Sequence, residues 1–305
     1  IFATGRPAHH AAVMQVLDVD SVPTHVFELK SRTPNSSLLL VVPGSPGMGH
    51  FYVPFASRLF ELGQGSFDVA VVSHAGHSPG YCRPTDGGGN DWYALEDQVA
   101  HKMAYLRDHA SGKETLYLVG HSIGCYIILH MLKQIAPDRV SKVFLLFPAL
   151  ERMAETPNGQ RLMPYFHQYL RPATALVWLV TWIPEAVRKT VLKYFHFRST
   201  PSDHLDHMVQ AAINIDSKSV YNILNMARQE MEQVTDPPLD LIRDHVHKMS
   251  FYYGVDDHWT LQSCYLDMAE RFSDHDIQLC TRGYPHAFVM EASTEMAGYV
   301  HSRLR

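Results

Sequence analysis

The sequence predicts an α/β fold: a mostly parallel central sheet with helices on both faces and an inserted helical cap. Short apolar runs suited to buried strands alternate with helix-length amphipathic segments, which is the pattern of parallel strands joined by crossover helices. The alternation stops over residues 151–234, which have a helical pattern, and then resumes. With 305 residues, 46% of them hydrophobic, the chain can bury a large core. We therefore expect a core of residues 1–150 and 235–305, with residues 151–234 as the cap.

Each predicted element follows from its local pattern. Continuous apolar runs predict strands buried on both faces, and apolar positions three or four residues apart predict helices. We expect strands at residues 24–30, 36–42, 67–72, 116–119, 139–147, 249–253 and 277–280, with at most one edge strand before them. We expect helices at residues 51–62, 91–109, 125–132, 239–248 and 261–272 and at the C-terminal end, with Asp91 as a helix N-cap.

One strand runs directly into Gly120-His121-Ser122-Ile123-Gly124 and then into a helix-length apolar segment. A G-x-S-x-G sequence between a strand and a helix is typical of a nucleophile elbow, in which the serine lies on a sharp and strained turn. The glycines leave room for neighbouring backbone. Because the pentapeptide alone arises by chance in about one chain of this length in ten, its value depends on partners elsewhere in the sequence.

Such partners follow in the order that an elbow hydrolase requires, serine, then an acid, then histidine. A serine hydroxyl is a weak nucleophile at neutral pH and needs a general base that a carboxylate orients. Asp256 or Asp257 follows one predicted strand, and His286 follows the next. His258 competes for the role of base but lies in the same loop as the acid, so topology favours His286. An epoxide hydrolase or haloalkane dehalogenase is disfavoured because each needs a carboxylate in place of Ser122.

Two backbone N–H groups are candidates for holding the negative charge that develops on a carbonyl oxygen. Ile123 follows the serine at a helix N-terminus, where the helix dipole favours an anion. The glycine-rich loop after the strand at 36–42 lies where this fold supplies the second donor, and we assign that donor to Ser45 or an immediate neighbour. The loop lacks the lysine and the spacing of a phosphate-binding loop.

Composition argues against several classes of function. A formal net charge of -5 argues against nucleic acid as a partner. The four cysteines are widely spaced and lack a C-x-x-C pattern, so we expect reduced thiols facing the cytosol. The closest histidine clusters are His204-Leu205-Asp206-His207 and His245-Val246-His247, and neither matches a metal-site motif. We expect neither a metal nor a cofactor.

The middle of the cap carries an apolar run of residues 173–183, which is bracketed by Pro172 and Pro184 and too short to span a bilayer. A helix predicted at residues 185–197 has apolar and aromatic residues on one face and basic residues on the other. This pattern predicts a helix that lies in a lipid surface, although a cap packed over the active-site cleft, with solvated basic residues, would have the same pattern. The residues that we expect to face lipid are Leu176, Val177, Trp178, Leu179, Val180, Trp182 and Ile183.

Several motifs of the chain resemble those of the lipid droplet-associated hydrolase family of serine hydrolases. The likeness covers roughly residues 25–303. Its motifs are Pro43-Gly44-Ser45-Pro46-Gly47, Phe51-Tyr52-Val53-Pro54-Phe55-Ala56, Ser73-His74-Ala75-Gly76-His77, the elbow pentapeptide, Phe147-Pro148, Glu151-Arg152-Met153, Pro157-Asn158-Gly159, Phe251-Tyr252-Tyr253-Gly254 and Pro285-His286-Ala287-Phe288.

The resemblance implies an α/β-hydrolase fold and hydrolysis of lipid esters, with sterol esters as the usual proposal. It places the family's acid on Asp257, three residues after the glycine of the Tyr-Gly turn and two before a tryptophan. It also implies attachment to lipid droplets and endoplasmic reticulum, on the cytosolic face, through the hydrophobic region of the cap. Ser45 stands where we expect asparagine in the family, a difference that leaves the backbone donor intact.

Two other functions stay open at this stage. One is a droplet-surface protein that binds or remodels stored lipid with little turnover. The other is a soluble hydrolase of small esters or thioesters, in which the cap is only a lid.

Overall fold

A computed structural model describes residues 13–31, 35–79, 92–197 and 202–304. Its centre is one eight-stranded sheet with the strand order β1-β2-β4-β3-β5-β6-β7-β8. β1 pairs antiparallel with β2, and β2 antiparallel with β4, whereas the pairings from β4 through β8 are parallel. The prediction of a mostly parallel α/β sheet is therefore confirmed. The strands are β1 (Val13–Val19), β2 (Val22–Leu29), β3 (Ser37–Val42), β4 (Asp68–Val72), β5 (Thr115–His121), β6 (Val140–Leu146), β7 (Met249–Gly254) and β8 (Asp276–Cys280).

The described residues contain ten α-helices, and they cover both faces of the sheet. Successive residues of a strand point to opposite faces, so in β3 the side chains of Leu38 and Leu40 belong to one hydrophobic core and those of Leu39 and Val41 to the other. The helices are α1 (Val53–Leu62), α2 (Leu95–His109), α3 (Ile123–Met131), α4 (Pro157–Thr181), α5 (Glu185–Val191), α6 (Ser202–Ile213), α7 (Ser217–Gln233), α8 (Leu239–His245), α9 (Gln262–Arg271) and α10 (Ser293–His301).

Helices α4 to α7 lie between β6 and β7 in the chain, within the range expected for the cap. Pro172, which brackets the apolar run in the sequence, lies inside α4 rather than at the start of a helix, and so does Pro164. Both prolines are exposed, so the carbonyl groups that they leave without an N–H partner can be hydrated. The helix predicted at 185–197 is α5 followed by a π-helical turn, Leu192–His196. Within the described ranges, no helix is both long and apolar enough to cross a membrane.

One cap helix is joined to the core by hydrogen bonds. α2 begins at Leu95, and the N-cap predicted at Asp91 lies outside the described residues. The backbone N–H of Leu95 donates to the side-chain oxygen of Gln229 (2.7 Å), and that of Tyr93 donates to Asn222 (2.9 Å). Both acceptors belong to α7, so this cap helix binds the segment that leads into α2 and satisfies the first N–H group of that helix, which has no partner within it.

Candidate active site

The predicted nucleophile lies on a strained turn between β5 and α3. Ser122 has φ 53° and ψ -124°, a conformation that non-glycine residues rarely adopt. A Cβ on Gly120 would lie 2.8 Å from the backbone nitrogen of Cys125, and a Cβ on Gly124 would lie 2.6 Å from the carbonyl oxygen of Pro43. Both contacts are with backbone that cannot rotate away. Only glycine therefore fits on either side of this serine, as the elbow motif requires.

The three side chains predicted to act together are hydrogen-bonded in series. Nε2 of His286 lies 2.9 Å from Oγ of Ser122, and Nδ1 of the same ring lies 2.6 Å from Oδ2 of Asp257. An ionised carboxylate can only accept hydrogen bonds, so Nδ1 carries the proton. In the neutral imidazole, Nε2 is then the acceptor for the serine hydroxyl, which is the arrangement needed for proton removal from a nucleophile.

Asp257, on which the resemblance places the acid, and its neighbour Asp256 have different surroundings in the structure. The side chain of Asp257 is 1% exposed. Its second oxygen, Oδ1, accepts hydrogen bonds from the backbone N–H groups of Trp259 (2.8 Å) and Thr260 (3.2 Å). Asp256 and the competing histidine His258 are both exposed. The burial and hydrogen bonds of Asp257 fix the carboxylate that faces the imidazole.

The two predicted oxyanion donors belong to segments that meet at the elbow. Ile123 is the first residue of α3, where the helix leaves N–H groups without intrahelical partners. Gly44 packs on the serine, since a Cβ there would lie 2.8 Å from Cβ of Ser122. The N–H of Gly44 already donates to the hydroxyl of Tyr52 (2.7 Å), and Pro46 has no N–H to offer. Among these neighbours, Ser45 is therefore the remaining candidate donor.

Buried polar side chains support the loop that carries Ser45. Nδ1 of His77 lies 2.7 Å from the carbonyl oxygen of Pro46, which can only accept, so the ring donates. The N–H of Gly49 donates to the hydroxyl of Ser73 (2.9 Å). Burial lowers the pKa of His77 to about 4, so this ring is neutral at physiological pH and acts as a fixed donor.

Two further side chains beside the triad were not predicted. His121 precedes the nucleophile, and its Nε2 lies 2.8 Å from the carbonyl oxygen of His286. Its Nδ1 lies 2.6 Å from the hydroxyl of Tyr52. The Gly-His-Ser sequence could have drawn attention to His121, whereas no spacing in the sequence marks Tyr52.

The cap residues predicted to face lipid lie at its surface or line a cavity. Six of the seven are exposed, and Val177 is half-buried. The rings of Trp178 and Trp182 contact each other with centroids 5.1 Å apart, and Trp182 is 72% exposed. Some of these residues also line a cavity of about 460 Å³, which is formed mainly by apolar side chains of α4, α5 and α6. The triad does not line this cavity. In the parts of the chain that the structure describes, no three His, Cys, Asp or Glu side chains are grouped to hold a metal ion.

Comparison with solved structures defines the class of protein. A laboratory-evolved variant of potato epoxide hydrolase matches with a TM-score of 0.63 at 16% identity, covering 94% of this chain and 97% of that one. A structure from work on carboxylesterases of Nitrososphaera gargenis matches with a TM-score of 0.63 at 18% identity, covering 95% and 97%. At these identities the likeness shows the fold alone, which is that of the α/β hydrolases.

Comparison with known sequences defines the family. A family model described as lipid-droplet associated hydrolase matches residues 35–289. The lipid droplet-associated hydrolase of mouse is 34% identical over 289 residues, covering 91% of this chain and 87% of the mouse protein. The human protein of the same name is 33% identical over 293 residues, covering 92% and 89%. The chain belongs to the lipid droplet-associated hydrolase family, which confirms the resemblance, and it is a hydrolase.

Proposed function

We propose that this chain is a serine hydrolase that cleaves carboxylic esters of lipids, with sterol esters such as cholesterol esters among its substrates. The observation that carries this proposal is the hydrogen-bonded series of Ser122, His286 and Asp257 on a strained elbow. We further propose that it acts at the surface of lipid droplets and endoplasmic reticulum, from the cytosolic face.

In the first half of the reaction, Oγ of Ser122 attacks the ester carbonyl carbon while Nε2 of His286 takes its proton. Asp257 stabilises the imidazolium that forms. The carbonyl oxygen becomes an oxyanion that accepts hydrogen bonds from the N–H groups of Ser45 and Ile123. The intermediate then collapses, the carbon–oxygen bond to the alcohol breaks, and the imidazolium returns the proton to the departing alkoxide. An acyl-serine remains.

In the second half, water replaces the alcohol. His286 removes a proton from the water as it attacks the acyl carbon, and the same two N–H groups hold the second oxyanion. Collapse releases the carboxylic acid, and the imidazolium returns a proton to Oγ of Ser122. The cycle consumes one ester and one water and needs no cofactor.

The surface of the cap supports a lipid substrate and a lipid-bound location. Leu176, Trp178, Leu179, Trp182 and Ile183 form an exposed apolar surface. Contiguous apolar surface on a soluble fold marks a site of contact with lipid or protein. Arg188 of α5 lies beside it, since its Nε donates to the carbonyl oxygen of Ile183 (3.1 Å), and its charge suits anionic lipid headgroups. The relatives' names, which refer to lipid droplets, support the same location.

The chemistry is tested by covalent labelling with a fluorophosphonate, together with acyl release from emulsions of sterol esters and triacylglycerols. We expect labelling and turnover in the wild type and loss of both in Ser122→Ala and His286→Ala. Labelling with no acyl release from either lipid would favour the alternative of a lipid-binding surface protein. Turnover confined to water-soluble esters or thioesters would favour the small-ester hydrolase. Absence of labelling in the wild type would contradict a serine mechanism.

The location is tested by two matched substitutions. Leu179 in α4 and Leu266 in α9 are almost equally exposed, 58% and 57%, so an aspartate at either position adds the same charge to a similar surface. We expect Leu179→Asp to lower the fraction of protein that floats with artificial lipid droplets severalfold, because a charged side chain is costly in a lipid surface. Leu266→Asp should float like the wild type. Equal flotation of both variants would contradict docking through the cap.

A further inference from the structure

A chain of hydrogen bonds connects the loop of the candidate oxyanion donor to the loop of the candidate base. The N–H of Gly44 lies 2.7 Å from the hydroxyl of Tyr52. That hydroxyl lies 2.6 Å from Nδ1 of His121, and Nε2 of His121 lies 2.8 Å from the carbonyl oxygen of His286. The four groups come from the loop after β3, the turn before α1, the end of β5 and the loop after β8.

The direction of every bond in this chain is fixed by chemistry. The carbonyl oxygen of His286 can only accept, so Nε2 of His121 carries a proton. Burial lowers the pKa of His121 to about 3, so the ring is neutral and its Nδ1 is an acceptor. The hydroxyl of Tyr52 must therefore donate to Nδ1, and its oxygen accepts from Gly44. Burial also raises the pKa of Tyr52, which keeps the phenol proton in place.

The ring of His121 is buried and packs against aromatic side chains. Its ring packs at right angles to that of Phe147 and edge-to-face with Phe288, with centroids 6.2 and 4.9 Å away. Tyr52 and His121 are both buried. A buried polar group without a partner is costly, so the loss of one hydrogen bond in this series would leave a buried group without its partner.

We propose that Tyr52 and His121 are positioning residues that hold the His286 loop and the Gly44–Ser45 backbone in one hydrogen-bonded unit. The unit fixes the imidazole of the base against Ser122 and the oxyanion donor against the same atom. A shift in one loop is then transmitted to the other through two rigid rings. The proposal deepens the proposed function and rests on it, because the positioned groups are those of the serine mechanism.

The test compares two Tyr→Phe substitutions at buried tyrosines whose hydroxyls are hydrogen-bonded. Tyr52→Phe breaks the chain described above. Tyr105→Phe is the matched control, because its hydroxyl donates instead to Glu28 of β2 (2.7 Å). Each variant is treated with a fluorophosphonate over a range of concentrations, which separates the limiting rate of covalent labelling from the concentration needed for half-saturation. Melting temperatures are measured alongside.

We expect Tyr52→Phe to lower the limiting labelling rate about ten- to a hundredfold, the cost of misplacing reacting groups by a fraction of an ångström to an ångström. Half-saturation should stay within about twofold, since the Tyr52 side chain is buried behind the reacting groups. Tyr105→Phe should also lose thermal stability but label at the wild-type rate. An unchanged rate in Tyr52→Phe, or an equal loss in Tyr105→Phe, would overturn the positioning role. A wild type that is not labelled would overturn the proposed function and the positioning role together.

A spectroscopic measurement on the wild type checks the hydrogen-bond chain without any variant. In protein labelled with ¹⁵N-histidine, long-range ¹H–¹⁵N correlation spectra distinguish the two neutral tautomers and the imidazolium. We expect His121 to be neutral with its proton on Nε2 throughout the range from pH 5 to pH 8. A proton on Nδ1, or titration of this ring within that range, would overturn the chain even if the enzyme is active.

Discussion

Gly124→Ala should damage both stability and activity, because α3 starts against the end of β3. A methyl group at residue 124 would lie 2.6 Å from the carbonyl oxygen of Pro43 and closer still to that of Val42. Non-bonded carbon and oxygen atoms stay about 3.3 Å apart or more, so the helix and the strand end would have to separate by roughly 1 Å. Both oxygens are backbone atoms, so no side-chain rotation relieves the overlap.

The size of the effect follows from that separation. Forcing a methyl group into close-packed structure costs about 1–3 kcal/mol of unfolding free energy. The displaced Pro43 precedes Gly44 and Ser45, so the candidate oxyanion donor moves with it. A misplacement of about 1 Å at a reacting centre costs about a hundredfold in rate. We therefore expect both a lower unfolding free energy and a labelling rate about a hundredfold below that of the wild type.

Gly298→Ala is the control for this experiment. Gly298 lies inside α10, and a Cβ there would have no heavy atom within 4 Å. Alanine replaces glycine in a helix with a gain of about 0.5–1 kcal/mol, so this variant should be slightly more stable and fully reactive. Urea unfolding followed by circular dichroism measures stability, and fluorophosphonate labelling measures reactivity. If Gly124→Ala matches the wild type in both measurements, the close approach of helix and strand end is refuted.

Two further predictions concern buried carboxyl groups. Asp257→Asn should lower kcat for a soluble 4-nitrophenyl ester by about 10⁴-fold, because asparagine no longer favours the histidine tautomer that accepts the serine proton; an unchanged kcat would contradict the assigned role. Burial raises the pKa of the Glu230 carboxyl group from 4.5 to about 8. The protonated carboxyl group costs the folded state nothing below pH 4.5. As the pH rises from there toward 8, the free energy of unfolding falls by at most about 1.4 kcal/mol per pH unit. Glu230→Gln should therefore gain stability relative to the wild type between urea titrations at pH 5 and pH 8.5, whereas a constant difference would show that Glu230 titrates normally.

The sheet was predictable because its central strands are buried on both faces. A strand in that environment is a continuous apolar run, and the runs at Ser37–Val42, Val140–Leu146 and Met249–Gly254 differ from the predicted bounds by a residue or so. The meeting of Ser122 with His286 was predictable for a related reason. Both residues follow parallel strands, and the carboxyl ends of parallel strands lie along one edge of a sheet.

Other features depend on contacts that leave no local pattern. The local pattern alone does not distinguish Asp256 from Asp257. The family resemblance points to Asp257, whose side chain is the buried one in the fold. Pro172 normally ends a helix, yet α4 continues through it where the proline ring faces solvent. The series of hydrogen bonds from Gly44 to His286 joins residues far apart in sequence through one tyrosine and one histidine. Neither periodicity nor spacing reveals this pairing.

The hydrogen bonds from the N–H groups of Tyr93 and Leu95 anchor α7 of the cap to the core. Moving α7 away would break both hydrogen bonds, at a cost of about 1–3 kcal/mol each if water does not replace the lost acceptors. α5, by contrast, has no fully buried side chain. We therefore expect substrate to enter when the segment that joins α4 and α5 moves, while α7 keeps its position on the core. We expect the amide protons of Tyr93 and Leu95 to exchange slowly, and at the same rate when the protein is bound to a lipid emulsion. Faster exchange on binding would mean that α7 moves as well, together with the rest of the cap.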